Sequence, residues 1–199
     1  MDFIVRAHSA PTDAVRFLGQ VGAGAHVEYL AQIVIAGLFV SKGHRADVAL
    51  TLVLEHSPDF SRAITLSGAS LGSLDGLTEA AILEALAASL HAARDLAKEQ
   101  SISLDNGIRV ASISFERLAK QYLAAGSVFL LDKKGSDLRQ QPVSRDAAFL
   151  LTDHVPMPRN LQKSLIRQGA VPVSVGPVML QAAQCIVVVQ NEIDRRRGL

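Results

Sequence analysis

Short apolar runs typical of β-strands alternate along this chain with longer segments whose apolar residues recur at helical spacing. The predicted strands span residues 2–8, 47–54, 62–67, 108–113, 147–152 and 171–175. The predicted helices span residues 26–40, 77–100, 115–125 and 158–168. Because parallel strands need long crossover connections, which helices commonly supply, the alternation favours an α/β fold with a mostly parallel sheet flanked by helices.

Two segments are less regular than these elements. Residues 9–24 are predicted to be mostly loop. Residues 128–131 and 138–143 flank the turn-forming sequence Asp132-Lys133-Lys134-Gly135, a pattern that predicts a β-hairpin.

The length and composition favour one globular domain. At 199 residues the chain can bury one sizeable core, and it contains no internal repeat, low-complexity stretch or clear linker. Hydrophobic residues make up 49% and charged residues 20%, a balance that excludes an intrinsically disordered chain. We therefore expect a single domain over residues 1–199.

The sequence lacks the patterns of a membrane anchor and of a secretory signal. Lys42, Glu55 and His56 interrupt the longest apolar stretches, so none is long enough to span a bilayer. The single cysteine, Cys185, excludes an internal disulfide and suits a reducing compartment. We therefore expect a cytoplasmic protein that does not associate with membranes.

The formal net charge of +1 hides an uneven distribution along the chain. Residues 1–100 carry seven Lys/Arg and eleven Asp/Glu, whereas residues 101–199 carry thirteen and eight. A basic half is the electrostatic signature of a protein with a phosphate-rich partner such as RNA. An evenly solvated surface with chance clustering explains the charge alone equally well.

Several well-known catalytic motifs are missing from the sequence. It contains no P-loop, no HExxH, no paired CxxC and no GxSxG, so it favours neither a metal site nor a serine hydrolase. The turn Gly22-Ala23-Gly24 lacks the third glycine of a dinucleotide-binding fingerprint. A flexible turn is the simpler interpretation of these glycines.

Three features near the C-terminus each allow a functional and a structural interpretation. Asp153 and His154 follow a predicted strand, where α/β sheets build sites, yet a turn Asp and a surface His fit equally well. The turn around Gly176 exposes backbone groups that can bind an adenine edge, or simply ends a strand. Cys185 lies among apolar residues, where a buried small side chain is the commoner role.

The segment over residues 149–199 contains a series of short motifs in a fixed order. These are FLLTDH at 149–154, Pro158, Gly169-Ala170, VSVGP at 173–177, Leu180, QCI at 184–186 and Asp194-Arg195. Together they resemble the TrmY family, the archaeal tRNA T-loop pseudouridine N1-methyltransferases of the knotted SPOUT superfamily. The strand DFIVRAH and the glycine turn at 22–24 fall in matching order, so the resemblance covers nearly the whole chain.

The resemblance implies a fold and a cofactor. The C-terminus would form a trefoil knot, and residues 182–197, whose own pattern fits a strand or a helix, would be helical from Gln184. S-adenosylmethionine would lie bent in the knot, and the protein would be a homodimer with its site near the subunit interface. The residues implied to bind the cofactor are Leu151, Val175, Gly176 and Leu180 through their backbone, with Cys185 lining the pocket.

The implied activity is an S-adenosylmethionine-dependent RNA methylation at N1 of a pseudouridine, in tRNA or another structured RNA. Because the N1–H group is a weak acid, a nearby carboxylate or imidazole would help to remove its proton. Asp47 and Asp153 are the leading candidates, ahead of Glu28 and His26. The cations implied to hold RNA phosphates are Arg45, Lys133, Lys134 and Arg159, with the run at 195–197 as a further candidate.

The chain departs from the family pattern at positions that would face the RNA. Residues 25–28 are Ala-His-Val-Glu, where the archaeal pattern has an Arg and an Asp, and Thr152 replaces a Gly. Two alternatives therefore stay open. One is a knotted RNA-binding module without catalytic activity, and the other is a different, unknotted α/β nucleotide-binding enzyme.

Overall fold

The computed structural model describes residues 1–74 and 76–198. Asp75, which precedes the predicted helix over 77–100, and Leu199, the last residue of the TrmY-like segment, lie outside the described residues. The helices are α1 (Ala14–Leu18), α2 (Glu28–Leu38), α3 (Glu79–Ala92), α4 (Phe115–Ala125), α5 (Arg159–Arg167) and α6 (Ala182–Arg197). The strands are β1 (Asp2–Pro11), β2 (Phe39–Val40), β3 (Gly43–His44), β4 (Ala49–His56), β5 (Arg62–Ser67), β6 (Ser101–Ser103), β7 (Ile108–Ala111), β8 (Val128–Asp137), β9 (Ala148–Thr152) and β10 (Val171–Ser174).

One large sheet organises the fold, in the strand order β10-β8-β9-β1-β4-β5-β7-β6. The five strands from β10 to β4 run parallel to one another. Strands β5, β7 and β6 each pair antiparallel with their neighbours and complete the other half. The predicted α/β class, with a mostly parallel sheet flanked by helices, is confirmed.

Both faces of the sheet are buried. On β1, Phe3 and Val5 pack on the face that carries α1, α2, α3 and α6, whereas Ile4 packs on the face that carries α4 and α5. Successive side chains of a strand point to opposite faces, so a strand covered on both sides needs an uninterrupted apolar run. This requirement explains why the central strands are readily recognised in the sequence.

The predicted hairpin around residues 132–135 is wrong. Strand β8 continues through these residues without reversing and pairs in parallel with β10. Adjacent residues of β10, Pro172 and Val173, pair with Leu130 and Ser136, so the residues between those two bulge out of the ladder. The turn-forming residues of the sequence mark this bulge.

The predicted helix over 77–100 is shorter in the structure. Helix α3 begins after Thr78, whose hydroxyl accepts a hydrogen bond from the Ala81 N–H, and it ends at Ala92. The buried Arg62 guanidinium accounts for the early end, because it donates to the carbonyls of Ala93 and Arg94 at 3.3 and 3.2 Å. The chain then forms the short edge strand β6, which is not among the predicted strands.

Two further expectations are corrected near the N-terminus. The predicted loop over residues 9–24 contains α1, which is capped by Asp13 through a 2.8 Å hydrogen bond from the Arg16 N–H. The predicted helix over 26–40 ends at Leu38 as α2, and its last two residues form β2 instead. Lys42 and Gly43, which follow it, belong to the β2–β3 hairpin.

The C-terminal tail is helical, as the resemblance implies. Helix α6 packs against α2, where the buried Gln190 side chain donates to the Gly37 carbonyl at 2.7 Å. Arg45 binds both carboxylate oxygens of Asp194 on the same helix, at 3.1 and 2.6 Å. The sheet order places β10 outside β8 while α6 returns to α2, which is consistent with the C-terminal trefoil knot; the threading itself stays a prediction.

Candidate functional site

A cavity of about 520 Å³ lies where β9 and β10 end, beside the bulge of β8 and against α2 and the beginning of α6. Its volume falls within the roughly 300–1,000 Å³ of typical small-molecule sites. The residues of the predicted cofactor set that line it are Leu151, Val175, Gly176, Leu180 and Cys185. The structure therefore brings together all five residues that the resemblance assigned to the cofactor.

The turn after β10 forms one wall of the cavity and is held by Ser174. The Ser174 hydroxyl accepts a hydrogen bond from the Gly176 N–H at 3.2 Å and donates one to the Gly176 carbonyl at 3.0 Å. Gly176 has a φ of +149°, a conformation that L side chains rarely adopt. Glycine is thus required here for its backbone conformation, although the space beside it is open.

The wall contributed by the start of α6 is uncharged and mostly apolar, with Gln181 as a polar member. Leu180, Ala182, Ala183 and Cys185 line the cavity on this side. Burial raises the pKa of the Cys185 thiol, so the thiol stays protonated at neutral pH. A wall of this kind suits the uncharged parts of a nucleoside ligand.

Asp153 lies at the end of β9 and lines the opposite wall. Its carboxylate is 2% exposed, and its Oδ1 accepts a hydrogen bond from the Val155 N–H at 2.9 Å. Burial raises the pKa of Asp153, and the Val155 N–H together with the nearby His154 and Arg6 offsets part of that rise. Asp153 therefore holds a proton more readily than an exposed aspartate does.

Three rings cluster beside Asp153 at the cavity rim. The His154 ring meets His26 edge-on at 5.1 Å and lies 5.6 Å from Tyr29, while His26 stacks on Tyr29 at 5.5 Å. His154 Nδ1 is 3.6 Å from Asp153 Oδ2. His26 belongs to residues 25–28, where the chain differs from the archaeal pattern. This altered segment therefore lies close to the buried Asp153 carboxylate.

A charged network behind Asp153 is absent from the sequence-based set of site residues. Arg6 Nη2 on β1 is 2.6 Å from Glu55 Oε2 on β4 and 3.0 Å from His8 Nδ1. Arg6 is 6% exposed, and its carbonyl accepts the Asp153 N–H at 3.1 Å. The sequence does contain a signal for this network, namely an arginine inside an otherwise apolar strand. Because charged residues are rarely buried without partners, such an arginine indicates a buried group of opposite charge nearby.

Asp47, the other predicted catalytic carboxylate, lies at the amino ends of the parallel strands, whereas Asp153 lies at their carboxyl ends. It precedes β4 by two residues, whereas Asp153 follows β9, and the parallel registers put Ala49 level with Ala148. At about 3.3 Å per residue the two carboxylates are roughly 20 Å or more apart along the strands. Partial burial alone would raise the pKa of Asp47, but Arg197, 2.7 Å away, lowers it below its ordinary value.

The predicted RNA-binding cations fall into two groups. Arg45 is engaged with Asp194, and the tail arginines are engaged too, with Arg196 donating to the Leu138 carbonyl at 2.8 Å. In the second group, Lys133 lines the cavity, while Lys134 and Arg159 are exposed nearby. Asp132 accepts a hydrogen bond from the Gln162 amide, which ties the β8 bulge to α5 at this rim.

Within the described part of the chain, no group of three His, Cys, Asp or Glu residues is placed to hold a metal ion. In the same residues no helix is long and apolar enough to cross a membrane. The cavity walls instead offer apolar side chains and a glycine turn, which fit an S-adenosyl nucleoside better than a metal complex.

Residues 1–198 match the sequence pattern of a protein family described as "Putative SAM-dependent RNA methyltransferase". The chain belongs to this family. Relatives called "Putative pseudouridine methyltransferase" include one from Shewanella baltica strain OS155, 43% identical over 96% of this chain and 97% of its own. Another, from Vibrio cholerae, is 40% identical over 98% of both chains.

A solved structure shows the same fold. It is Nep1 of Archaeoglobus fulgidus bound to S-adenosylhomocysteine, with a TM-score of 0.62 over 100% of this chain and 99% of that one. The sequences are 12% identical, so this likeness establishes a shared fold and no more. The methyltransferase family and this fold agree with the resemblance to the TrmY family.

Proposed function

We propose that this protein transfers the methyl group of S-adenosylmethionine to N1 of a pseudouridine in a structured RNA. The main observation in support is that the five predicted cofactor-binding residues line the same cavity as a buried carboxylate, Asp153. The family description supports the methyl donor and RNA, and the names of the relatives support the acceptor base.

The cavity would hold the donor mainly through shape. Leu151 and Leu180 would contact its apolar parts, and the rigid turn at Gly176 would fix one end. Bound S-adenosylmethionine supplies an electrophilic methyl group that needs little further activation. Alignment by the protein can then account for much of the rate, since well-oriented groups reach effective molarities on the order of 10⁵ M or more.

We assign removal of the N1 proton to Asp153. Its Oδ1 already accepts the Val155 N–H, so Oδ2, beside the His154 ring, is the oxygen that would take the proton. Burial raises the pKa of Asp153 and makes its carboxylate a better base than an exposed one. Asp47 stays the second candidate and, given its distance, would act only at the cavity of a partner subunit.

The substrate we propose is tRNA or another structured RNA. Lys133 lines the cavity, and the exposed Lys134 and Arg159 lie close in sequence to the cavity-lining Lys133 and Met157. These three cations would contact the RNA phosphates, because exposed cations supply most of the affinity for nucleic acid backbones. Arg45 would add to this only by releasing Asp194. The altered segment at 25–28 lies beside the acceptor site and would help to select the RNA.

We also propose that the protein is a homodimer. Val178 and Met179, which line the cavity, are 67% and 73% exposed, and α6 adds the exposed Val187 and Val188. Apolar side chains gathered beside a ligand site are typical of a surface that another subunit covers. Light scattering after size-exclusion chromatography should give twice the mass of one chain, and a single-chain mass at micromolar concentration would contradict the dimer.

Two further parts of the proposal are a cytoplasmic location and a single domain over residues 1–199. The first is supported by the RNA substrate and the single cysteine, and the second by one continuous sheet. Fractionation of cells that express the tagged protein should recover it with cytoplasmic markers.

Calorimetry with S-adenosylhomocysteine tests the donor site directly. The wild-type protein should bind the ligand, and Ala183→Phe, which fills the cavity, should abolish binding. Ala124→Phe on the exposed face of α4 is the matched control and should bind normally. Absence of binding by the wild-type protein at near-millimolar ligand would overturn the proposal.

A further inference from the structure

Helix α5 carries a row of three cations, of which the proposed function uses only the first. Arg159, Lys163 and Arg167 are spaced four residues apart, so they share one side of the helix and follow one another at about 6 Å of rise. We call them the α5 cation row. All three are exposed, and none makes a hydrogen bond or ion pair with residues 1–74 or 76–198.

The charge of this row is not balanced by neighbouring sequence. No Asp or Glu occurs between His154 and Asn191, so neither α5 nor the strand and turn that follow it contribute a carboxylate. The arginines at the end of α6 differ, because Arg196 and Arg197 are paired with Glu192 and Asp47. In space, the Asp132 carboxylate contacts Gln162 of α5, but three unpaired cations beside it still leave a net positive potential that an anionic partner can neutralise.

The surface around the row has a shape as well as a charge. Asn160, Lys163, Ile166 and Arg167 line a shallow depression of about 380 Å³ on the outside of α5. Ile166 is 39% exposed there, which provides an apolar patch between two cations and an amide. Ribose and base surfaces are apolar while phosphates are anionic, so this combination matches an RNA strand better than a free phosphate ion.

The row is also connected to the cavity. Met157, just before α5, and Gln162, within it, line the cavity, and Arg159 lies between them in the sequence. From this rim α5 runs back over the sheet towards the start of β10. An RNA strand lying along the helix would therefore lead directly to the proposed acceptor site.

We propose that α5 is an RNA-binding surface, on which Lys163 and Arg167 bind backbone phosphates and Asn160 and Ile166 contact the adjoining nucleoside. This inference rests on the proposed function for the identity of the nucleic acid. It extends the contact surface about two helical turns beyond the cavity rim, and it makes α5 the element that orients the RNA.

The test is the salt dependence of RNA binding by Lys163→Gln/Arg167→Gln. Fluorescence anisotropy would follow a labelled synthetic RNA stem–loop with one pseudouridine in its loop, at several potassium chloride concentrations. The double variant should bind roughly tenfold or more weakly at 0.1 M salt, and its log–log salt slope should fall by about 1.5 for two lost phosphate contacts.

Arg16→Gln/Lys98→Gln is the matched control, since it removes the same charge from exposed residues on the side of the sheet that carries α1 and α3. It should match the wild type in affinity and slope. Unchanged RNA binding by the α5 variant, or an equal loss in the control, would overturn the proposal. A changed oligomeric state of the α5 variant would also overturn it, because the row would then face a second copy of the chain.

The same variants separate this proposal from the proposed function. S-adenosylhomocysteine affinity should be unchanged in both double variants, because neither touches the cavity wall. If the wild-type protein methylates RNA but the α5 variant keeps the wild-type salt slope, the RNA-binding role of α5 is wrong and the proposed methyltransferase activity is unaffected. If the wild-type protein binds RNA through α5 but transfers no methyl group, the methyltransferase proposal is wrong and the RNA-binding role of α5 is kept.

Discussion

Asp153 and Asp47 differ in the property that a proton acceptor needs. Asp153 is 2% exposed and burial raises its pKa, whereas the Asp47 side chain is 57% exposed and Arg197 holds its pKa below the ordinary value. A carboxylate with a raised pKa accepts a proton more readily at the same pH. Residue environment therefore favours Asp153 as the base, although both residues have the same side chain.

Replacing Asp153 by Asn should remove the base and leave the cavity intact. We expect the methyl transfer rate to fall by about 10²- to 10⁴-fold, the usual contribution of a general base, with S-adenosylhomocysteine affinity unchanged. Asp47→Asn, made in parallel, should keep near wild-type activity. The opposite pattern, an inactive Asp47 variant and an active Asp153 variant, would move the base to Asp47.

The pH profile provides a second readout at this residue. The single-turnover rate should rise with pH through the pKa of Asp153, which lies above the ordinary aspartate value of about 3.9. In Asp153→Asn this rise should be missing from the residual activity. A profile that is identical in the two proteins would show that another group controls the protonation step.

The same raised pKa predicts how stability depends on pH. The folded state binds the Asp153 proton more tightly than the unfolded state does, so the ionised carboxyl opposes folding as pH rises above the unfolded value. Asp153→Asn should therefore melt at a higher temperature than the wild type at pH 7, with the difference vanishing below about pH 4. A lower Tm at pH 7 would contradict this.

At the scale of elements, β8 and β10 are joined at a bulge that depends on one glycine. A Cβ at Gly135 would lie 2.4 Å from the Val173 nitrogen, a backbone atom that cannot turn aside. Gly135→Ala should lower the free energy of unfolding by about 1–3 kcal/mol in a urea titration, and should weaken S-adenosylhomocysteine binding, because β10 leads into the Gly176 turn. Gly126→Ala, with no atom within 4 Å and an extended backbone, should be neutral; an equal effect would refute the argument.

The contact between α6 and α2 depends on a buried amide. Gln190→Leu would leave the Gly37 carbonyl, in the last turn of α2, without its side-chain partner, at a cost of about 1–3 kcal/mol. Gln121→Leu on the exposed side of α4 is the control and should change stability little. Equal stability of the two variants in urea would mean that the Gln190 hydrogen bond does not hold α6 in place.

Elements whose pattern is set by burial were predictable from the sequence, and those set by distant partners were not. The central strands and α4, whose first turn is capped by the Ser114 hydroxyl, follow local rules. The end of α3 depends on Arg62, and the bulge in β8 depends on pairing with β10, both of which are long-range effects. A turn signature such as Asp132 to Gly135 cannot by itself distinguish a hairpin from a bulge.

At the scale of the whole molecule, the resemblance to a known family singled out five residues as cofactor-binding, and the structure places all five in one cavity. Their own chemistry is unremarkable, since most contribute apolar surface or backbone. The Arg6–Glu55 pair was not predicted, because it joins two strands that are far apart in sequence. The depression on α5 was not predicted either, because it depends on which residues share one face of the helix. The catalytic roles and the knot remain predictions for experiment.

Methyl transfer to two RNAs that differ at one base tests the central claim most directly. The protein would be incubated with isotope-labelled S-adenosylmethionine and a structured RNA carrying pseudouridine, or the same RNA carrying uridine, whose N1 is bonded to the ribose. Nuclease digestion and mass spectrometry should find the label on N1 of pseudouridine and none in the uridine RNA. Equal labelling of the two RNAs, or label at another atom, would contradict the account.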